Sequence, residues 1–444
     1  MDRTKVDLVI GGSHILTMDG NGTVIERGAI AIDKGVIVAS GKEGEIQDSY
    51  HGRQQLIEQH GLVMPGLINV HTHAAMACFR GLADDLPLME WLQEYIFPVE
   101  ATLTGEVVYH STLLSLCEMI KSGTTAFCDM YLFAADVGRA VEQAGMRAWL
   151  GEVLYDFPSP NYGVLENGFS YTRDLLAQYR DNELIQVTVD PHSVYTCSPD
   201  LLVRLGDLAR EHESIYHIHL SENKDEVNTC KERYGCTPVG HLDGLGLLED
   251  NVLAAHCVMV SDKELTLMAE RGVRVAHCPE SNMKLASGVA PVPQMVAAGI
   301  SVGIGTDGAA SNNDVDMFGE MNTAAKIHKV SQMDPTAMSA GQTLYAATRG
   351  AADALGAGQA IGSLEIGKKA DCIVLDLDQP HLIPMYNPVS HLVYAANGGD
   401  VMHSVINGKV VMENRQILTV DEGAALAWGK EMGLAIAKQR KGVL

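Results

Sequence analysis

The sequence predicts an α/β protein: a (β/α)8 TIM-like barrel with a small β-sandwich domain built from both chain ends. Three observations predict it. Short apolar runs alternate with helix-like segments eight times in the middle of the chain, the size and rhythm of such a barrel. Hairpin-type strand patterns flank that stretch on both sides. Metal-capable side chains recur at the ends of the apolar runs, where barrels carry their functional residues.

The first flank comes before Pro65. Val6–Ile10, His14–Met18, Val24–Ile25, Ala29–Ile32 and Val36–Gly41 read as short strands. Gly12, Asp19-Gly20-Asn21-Gly22 and Asp33-Lys34-Gly35 read as the turns between them. From Pro65 the rhythm changes to strand, loop, helix. The eight predicted barrel strands are Leu67–Val70, Thr124–Asp129, Arg147–Tyr155, Ile185–Val189, Ile215–Leu220, Val252–His256, Val273–His277 and Val302–Gly305. Thr104–Ser122 follows an apolar spacing of three and four and stops near Gly123, which predicts a helix. Pro199–Glu213, Asp225–Tyr234, Ser261–Arg271 and Pro293–Ala298 follow suit. After Gly362 the strand pattern returns in Ala370–Leu377, Val401–Ile406 and Lys409–Met412, with Asn407-Gly408 as a hairpin turn. Ala424–Gln439 reads as a terminal helix. The expected division is therefore 1–63 with 363–444 as the small β domain and its helix, and 64–362 as the barrel.

Composition narrows the function. With 46% apolar and 20% charged residues the chain is globular. The net charge of −24, from 32 basic and 56 acidic residues, repels phosphate backbones and argues against nucleic acid. No run of 18 apolar residues and no signal-peptide pattern occurs, so neither membrane nor export is expected. Nine cysteines stand singly with no Cys-x-x-Cys, which fits reduced thiols in a cytoplasm and no cysteine zinc site.

His71 and His73 sit at i and i+2 where the first barrel strand ends, so both imidazoles face the same side. A lone His-x-His pair is weak evidence. The other strand ends strengthen it: Asp190-Pro191-His192, His217-Ile218-His219-Leu220-Ser221-Glu222, Ala255-His256-Cys257, His277-Cys278-Pro279-Glu280-Ser281-Asn282 and Gly305-Thr306-Asp307. His71, His73, His219 and Asp307 together can hold one divalent ion such as Zn2+, which lowers the pKa of bound water to about 7. Glu222, three residues past His219, is placed to shuttle a proton. His256 is placed to orient or deprotonate the water, and Asp307 to ligate and hydrogen-bond at once. His217, deeper on its strand, reads as structural, and His277 as either packing or pocket lining. The remaining histidines default to surface or packing. Asp84-Asp85, Asp314 and Asp316 default to solvated charge or helix caps.

On the motifs His71-Thr72-His73, His219-Leu220-Ser221-Glu222, Ala255-His256 and Gly305-Thr306-Asp307, the chain resembles the amidohydrolase superfamily over nearly its whole length. No lysine follows the fourth strand, where binuclear relatives carry a carboxylated one, so the resemblance implies a single metal. Met89-Glu90-Trp91-Leu92 with Ile96-Phe97-Pro98-Val99-Glu100, and the segments at Asp190 and His277, are similar to the 5-methylthioadenosine/S-adenosylhomocysteine deaminase family. That likeness implies hydrolytic deamination of an adenine nucleoside at C6, with S-adenosylhomocysteine, 5-methylthioadenosine and adenosine as candidate substrates. It assigns ribose binding to Glu100 and a nucleoside contact to His192, beside Glu222 and Asp307. Trp91 is either a purine stacker or core. Some relatives place a substrate-binding arginine after the third strand; the equivalent here is Glu152, so contacts to the 5′ tail are expected to differ. The rival readings are a triazine chlorohydrolase or a guanine deaminase on the same scaffold, or a non-catalytic scaffold protein. A homo-oligomer is expected from the scaffold.

Overall fold

The computed structural model describes residues 3–86 and 90–441. Met89, part of one expected motif, lies outside them. The chain begins with β1 (Thr4–Leu16), β2 (Val24–Asp33), β3 (Val36–Lys42) and β4 (Tyr50–Pro65). The eight barrel strands follow as β5 (Leu67–Thr72), β6 (Thr124–Tyr131), β7 (Arg147–Leu154), β8 (Ile185–Val187) extended by the two-residue β9 (Asp190–Pro191), β10 (Tyr216–Leu220), β11 (Val252–His256), β12 (Arg274–His277) and β13 (Val302–Ile304). The chain closes with β14 (Cys372–Asp376), β15 (Val401–Ile406), β16 (Lys409–Glu413), β17 (Gln416–Ile417) and the helix Glu422–Lys441.

All eight expected barrel strands are present and pair in parallel. Two parallel runs, β5-β6-β7-β8 and β10-β11-β12-β13, make up the wall. They join where the Val189 N–H donates to Ile215 O and the His217 N–H to Val189 O. They join again where the Asp307 N–H donates to His71 O (3.0 Å). These strands are apolar on both faces because helices cover the outside and side chains fill the inside. Gly305 makes the second junction possible: a Cβ there would lie 2.8 Å from His71 N and O.

The two chain ends form one mixed sheet in the order β17-β16-β15-β14-β4-β1-β2-β3. It curls over on itself. The β2–β3 turn at Gly35 meets the β15–β16 turn at Asn407-Gly408, and Ile10, Ile30, Ile37, Leu56, Val374 and Val405 fill the space between.

The structure revises the expected strands of this region. Gly12 is not a turn; β1 runs straight through it with a change of register between Gly12 and His14. A Cβ at Gly12 would stand 2.4 Å from Gly61 O, so this glycine serves close backbone approach. Val24–Ile25 and Ala29–Ile32 are one strand. A 16-residue strand, β4, occupies a stretch whose polar Arg53-Gln54-Gln55 hid it. A buried ion pair ties barrel to sheet: Arg147 Nε lies 2.6 Å from Asp371 Oδ2 and Nη2 3.2 Å from Oδ1.

The helix Gly105–Lys121 starts as expected, with the Thr104 hydroxyl accepting from the Val107 N–H. Between β5 and that helix lie the 3-10 helix Ala74–Phe79, a π-helical turn Trp91–Ile96 and the short helix Phe97–Glu100. Among the described residues no helix is long and apolar enough to cross a membrane.

Candidate metal centre and substrate pocket

The C-terminal ends of the barrel strands bring the expected residues together. His71 ends β5, His73 follows it, His219 lies on β10 and Asp307 follows β13. Their ligand atoms all lie within 4.8 Å of one another. His73 Nε2 is 3.1 Å from Asp307 Oδ1, and His71 Nε2 is 3.5 Å from the same oxygen.

Each imidazole is oriented from behind. His73 donates Nδ1–H to Met130 O, and His219 donates Nδ1–H to His192 O at 2.8 Å. His71 Nδ1 lies 2.9 Å from His217 Nε2, and His217 Nδ1 in turn faces Asp190 Oδ2 at 3.8 Å. With Nδ1 engaged, each ring turns Nε2 to the common centre, the tautomer a metal ligand needs. His71 Nε2 is buried with no hydrogen-bond partner among the described residues, an orphan that a cation would satisfy. Asp307 keeps Oδ1 for the centre because the hydroxyls of Ser281 (2.6 Å) and Ser311 (2.8 Å) donate to Oδ2.

The electrostatics agree with the geometry. Burial drives His71 and His219 well below the usual imidazole range, so both are neutral, as ligands must be. Burial also opposes charge on His73, but the hydrogen bond to Asp307 and its charge prevail and raise His73 to about 9 with no ion beside it; a cation there would take the place of that proton, so metal binding releases it. Burial would raise Asp307, yet the ring nitrogens of His71 and His73 beside it hold it well below the carboxylate range. A buried carboxylate here demands a positive partner, which a divalent ion supplies. The three nitrogens and one carboxylate oxygen form a site for one zinc-type divalent ion.

Glu222 and His256 face the same pocket, which has an empty volume of about 770 Å3. Burial raises the Glu222 carboxyl above its ordinary value. His256 donates Nδ1–H to Asn282 Oδ1 (2.9 Å), leaving Nε2 for the site. Ser281 and Asn282, from the segment after β12, thus anchor Asp307 and His256 respectively. Ser221, His256, Cys257 and Asp307 all adopt φ between 47° and 71°. Left-handed backbone outside glycine costs of order 1–3 kcal/mol per residue and clusters at functional sites.

Further out, Glu100 lines the pocket and accepts the Tyr131 hydroxyl at 2.8 Å. Burial raises its pKa. It does not serve the helix Gly105–Lys121, whose cap is Thr104. His192 lines the pocket too; Thr196 Oγ1 engages its Nδ1 at 2.8 Å and burial lowers it to about 3, so it is neutral. Trp91 is buried in the core and also lines the pocket, with its Nε1–H donating to Ala83 O at 3.1 Å.

Other residues fall elsewhere. His217 is fully buried as expected but stands directly behind His71. His277 packs on His328, with Nε2 atoms 3.1 Å apart, and does not line the pocket. Asp316 caps the helix Met317–Gln332 and Asp84 pairs with Lys284. Glu152 is fully buried and is not a lining residue. It accepts from the Ala134 N–H and Asn161 Nδ2, both at 2.9 Å.

Two contributors escaped the sequence reading. Glu226 accepts the backbone N–H groups of Ser221 (3.1 Å) and Glu222 (2.6 Å), fixing the loop that carries Glu222. Asn223-x-x-Glu226 is a capping-box spacing that could have drawn attention to it. Tyr131 shares a strand face with Asp129 at the end of β6, the same i, i+2 signal as His71 and His73.

A profile of the amidohydrolase family matches residues 62–411. A 5-methylthioadenosine/S-adenosylhomocysteine deaminase of Syntrophobacter fumaroxidans is 53% identical over 421 residues, covering 95% of this chain and 96% of that protein. The crystal structure of a zinc-bound adenosine deaminase from Xanthomonas campestris superposes with a TM-score of 0.97 at 38% identity, covering 98% of this chain and all of the other. A zinc complex of an atrazine chlorohydrolase from Arthrobacter aurescens shares the fold, with a TM-score of 0.89 at 24% identity over 96% of this chain. With its strand ends, its ligand set and these matches in agreement, the chain belongs to the amidohydrolase family.

Proposed function

We propose that this protein is a metal-dependent hydrolase that deaminates adenine nucleosides at C6, releasing ammonia and the inosine analogue. One observation carries the reading: a single pocket joins the four-ligand centre and Glu222 to Glu100 and His192. The first group suits attack on an amidine carbon; the second suits a ribose. The similarity to the Syntrophobacter and Xanthomonas deaminases supports the same choice.

His71, His73, His219 and Asp307 would hold the ion, which when bound supplies Lewis acidity and brings the pKa of a coordinated water toward neutrality. Glu222 carries the transferred proton in this reading; burial shifts its carboxyl upward, the direction that favours the protonated form. It gives that proton to N1 of the purine as water oxygen adds to C6. It then takes the proton that the adding water gives up and passes it to the amino group, and the C6–N bond breaks to release ammonia. The nucleoside has gained one water and lost one ammonia. His256, steadied by Asn282, and Asp307, steadied by Ser281 and Ser311, accept hydrogen bonds from the adding water. Glu100 accepts from the vicinal ribose hydroxyls, and charged acceptors make the stronger hydrogen bonds. A neutral His192 contacts the sugar side. Triazines lack the ribose that Glu100 and His192 suit, which disfavours the chlorohydrolase reading.

The test is absorbance of the zinc-loaded protein with adenosine, 5-methylthioadenosine and S-adenosylhomocysteine. The adenine chromophore should convert to hypoxanthine with ammonia released. Glu222→Gln should keep its zinc and lose turnover by about 10²–10⁴-fold, the range for a positioned proton donor. No conversion of any of the three by protein holding one zinc would sink the reading, and near-normal turnover in the variant would remove Glu222 from it.

A further inference from the structure

The pocket is graded along its length. Rings lead outward from the metal centre: His219 to His192 at 5.0 Å, His192 to Tyr155 at 6.5 Å, Tyr155 to Phe157 stacked at 3.9 Å, and Phe157 to Phe97 at 6.2 Å. Phe157 is 40% exposed, which puts it at the mouth. The inner end takes the purine and Glu100 the ribose, so the group on the ribose 5′ carbon meets this aromatic shelf.

Charge at the shelf is one-sided. Glu100, Glu222 and Asp307 are the acids of the lining, and no lysine or arginine is among the described lining residues. The cations on the rim are engaged elsewhere. Lys284, beside the lining Leu285, lies 2.6 Å from Asp84. Arg233 donates to Tyr195 O from the outside at 3.0 Å. Glu152, on β7, spends its carboxyl on Ala134 and Asn161.

We infer that the 5′ substituent this enzyme selects carries no carboxylate: a small thioether or hydroxymethyl group over an amino-acid tail. The inference rests on the nucleoside deaminase reading and makes it narrower. A methylthio group gains apolar and sulfur–aromatic contact on Tyr155, Phe157 and Phe97. A homocysteinyl carboxylate finds no fixed cation among the described lining residues to replace the water it would lose. Phe157 and Tyr155 are the specificity-determining residues.

The experiment measures kcat/KM for 5-methylthioadenosine, adenosine and S-adenosylhomocysteine with the same zinc-loaded preparation. Calorimetric binding of each to the zinc-loaded Glu222→Gln variant supplies a readout without turnover. The expected result is a preference for methylthioadenosine over S-adenosylhomocysteine of roughly 10- to 100-fold, the worth of a charge-assisted hydrogen bond left unmade. Phe157→Arg, at a half-open position, should narrow that ratio about tenfold by improving S-adenosylhomocysteine. Equal or better kcat/KM with S-adenosylhomocysteine in the unaltered enzyme would overturn the inference and leave the deaminase reading standing. So would an Arg variant that loses both substrates in proportion. If none of the three is deaminated, the deaminase reading itself falls, and this one with it.

Discussion

Glu226 and Glu152 are both buried carboxyls near the site, yet they act differently. Glu226 holds the backbone N–H groups of Ser221 and Glu222, so it fixes the loop that presents Glu222, the proposed proton carrier. Glu226→Gln offers only one acceptor oxygen where two N–H groups donate. We expect kcat to fall about 10-fold with KM nearly unchanged, and stability to fall by ~1–3 kcal/mol for a buried donor left unpaired. Steady-state kinetics beside denaturant unfolding check this; a loss confined to KM would argue for substrate contact. Glu152 caps the start of the helix Ala134–Ala144, and burial raises it to about 8. A carboxyl raised above its ordinary value of 4.5 favours folding below that value and loses the benefit as pH rises through 8. The unaltered protein should therefore lose stability from about pH 5 to pH 8 relative to Glu152→Gln. Parallel pH profiles of the unfolding midpoint would refute this burial argument.

At the scale of elements, the barrel was legible and the edges of the small sheet were not. Buried parallel strands must be apolar on both faces, so Leu67–Val70, Thr124–Asp129 and Val252–His256 stand out from their surroundings. Their polar termini stand out for the same reason, which is why the four ligands, Glu222 and His256 could be picked before any fold was known. Gly12 misled because a glycine that admits a neighbouring backbone looks the same in sequence as one that turns. The partners of the ligands were hidden too. His217, Ser281 and Asn282 touch their targets only once β10, β12 and β13 stand side by side. The junction of β13 with β5 gives the next prediction. Gly305→Ala forces a Cβ against His71 N and O, spreading the strands that carry Asp307 and His71. Zinc affinity should fall by roughly 10–100-fold, as when partners of metal ligands are lost. Gly44→Ala, where a Cβ meets nothing within 4 Å, should leave it unchanged. Competition with a zinc chelator reads both, and equal affinities would show that the junction is slack.

Across the whole molecule, the curled sheet and the barrel form one frame around the centre. Pro65 ends β4 and Leu67 begins β5, so the sheet delivers the first ligand strand directly. The Arg147–Asp371 pair clamps β7 to the segment entering β14, and Asp371 also accepts the Asn407 N–H at 2.7 Å. At the opposite face of the barrel, β5, β6, β7, β9, β10, β11 and β13 and the loops after them converge on one pocket with a metal centre at its floor and aromatic rings at its mouth. That convergence suits the site to the proposed addition of water at C6 of a bound adenine nucleoside. The direct measurement is mass spectrometry of the product formed by the zinc-loaded enzyme from 5-methylthioadenosine in oxygen-18 water, with ammonia counted alongside. The account predicts the intact inosine analogue with one oxygen-18 atom on the purine and one ammonia per turnover. Release of free adenine, or a product without the solvent oxygen, would contradict it.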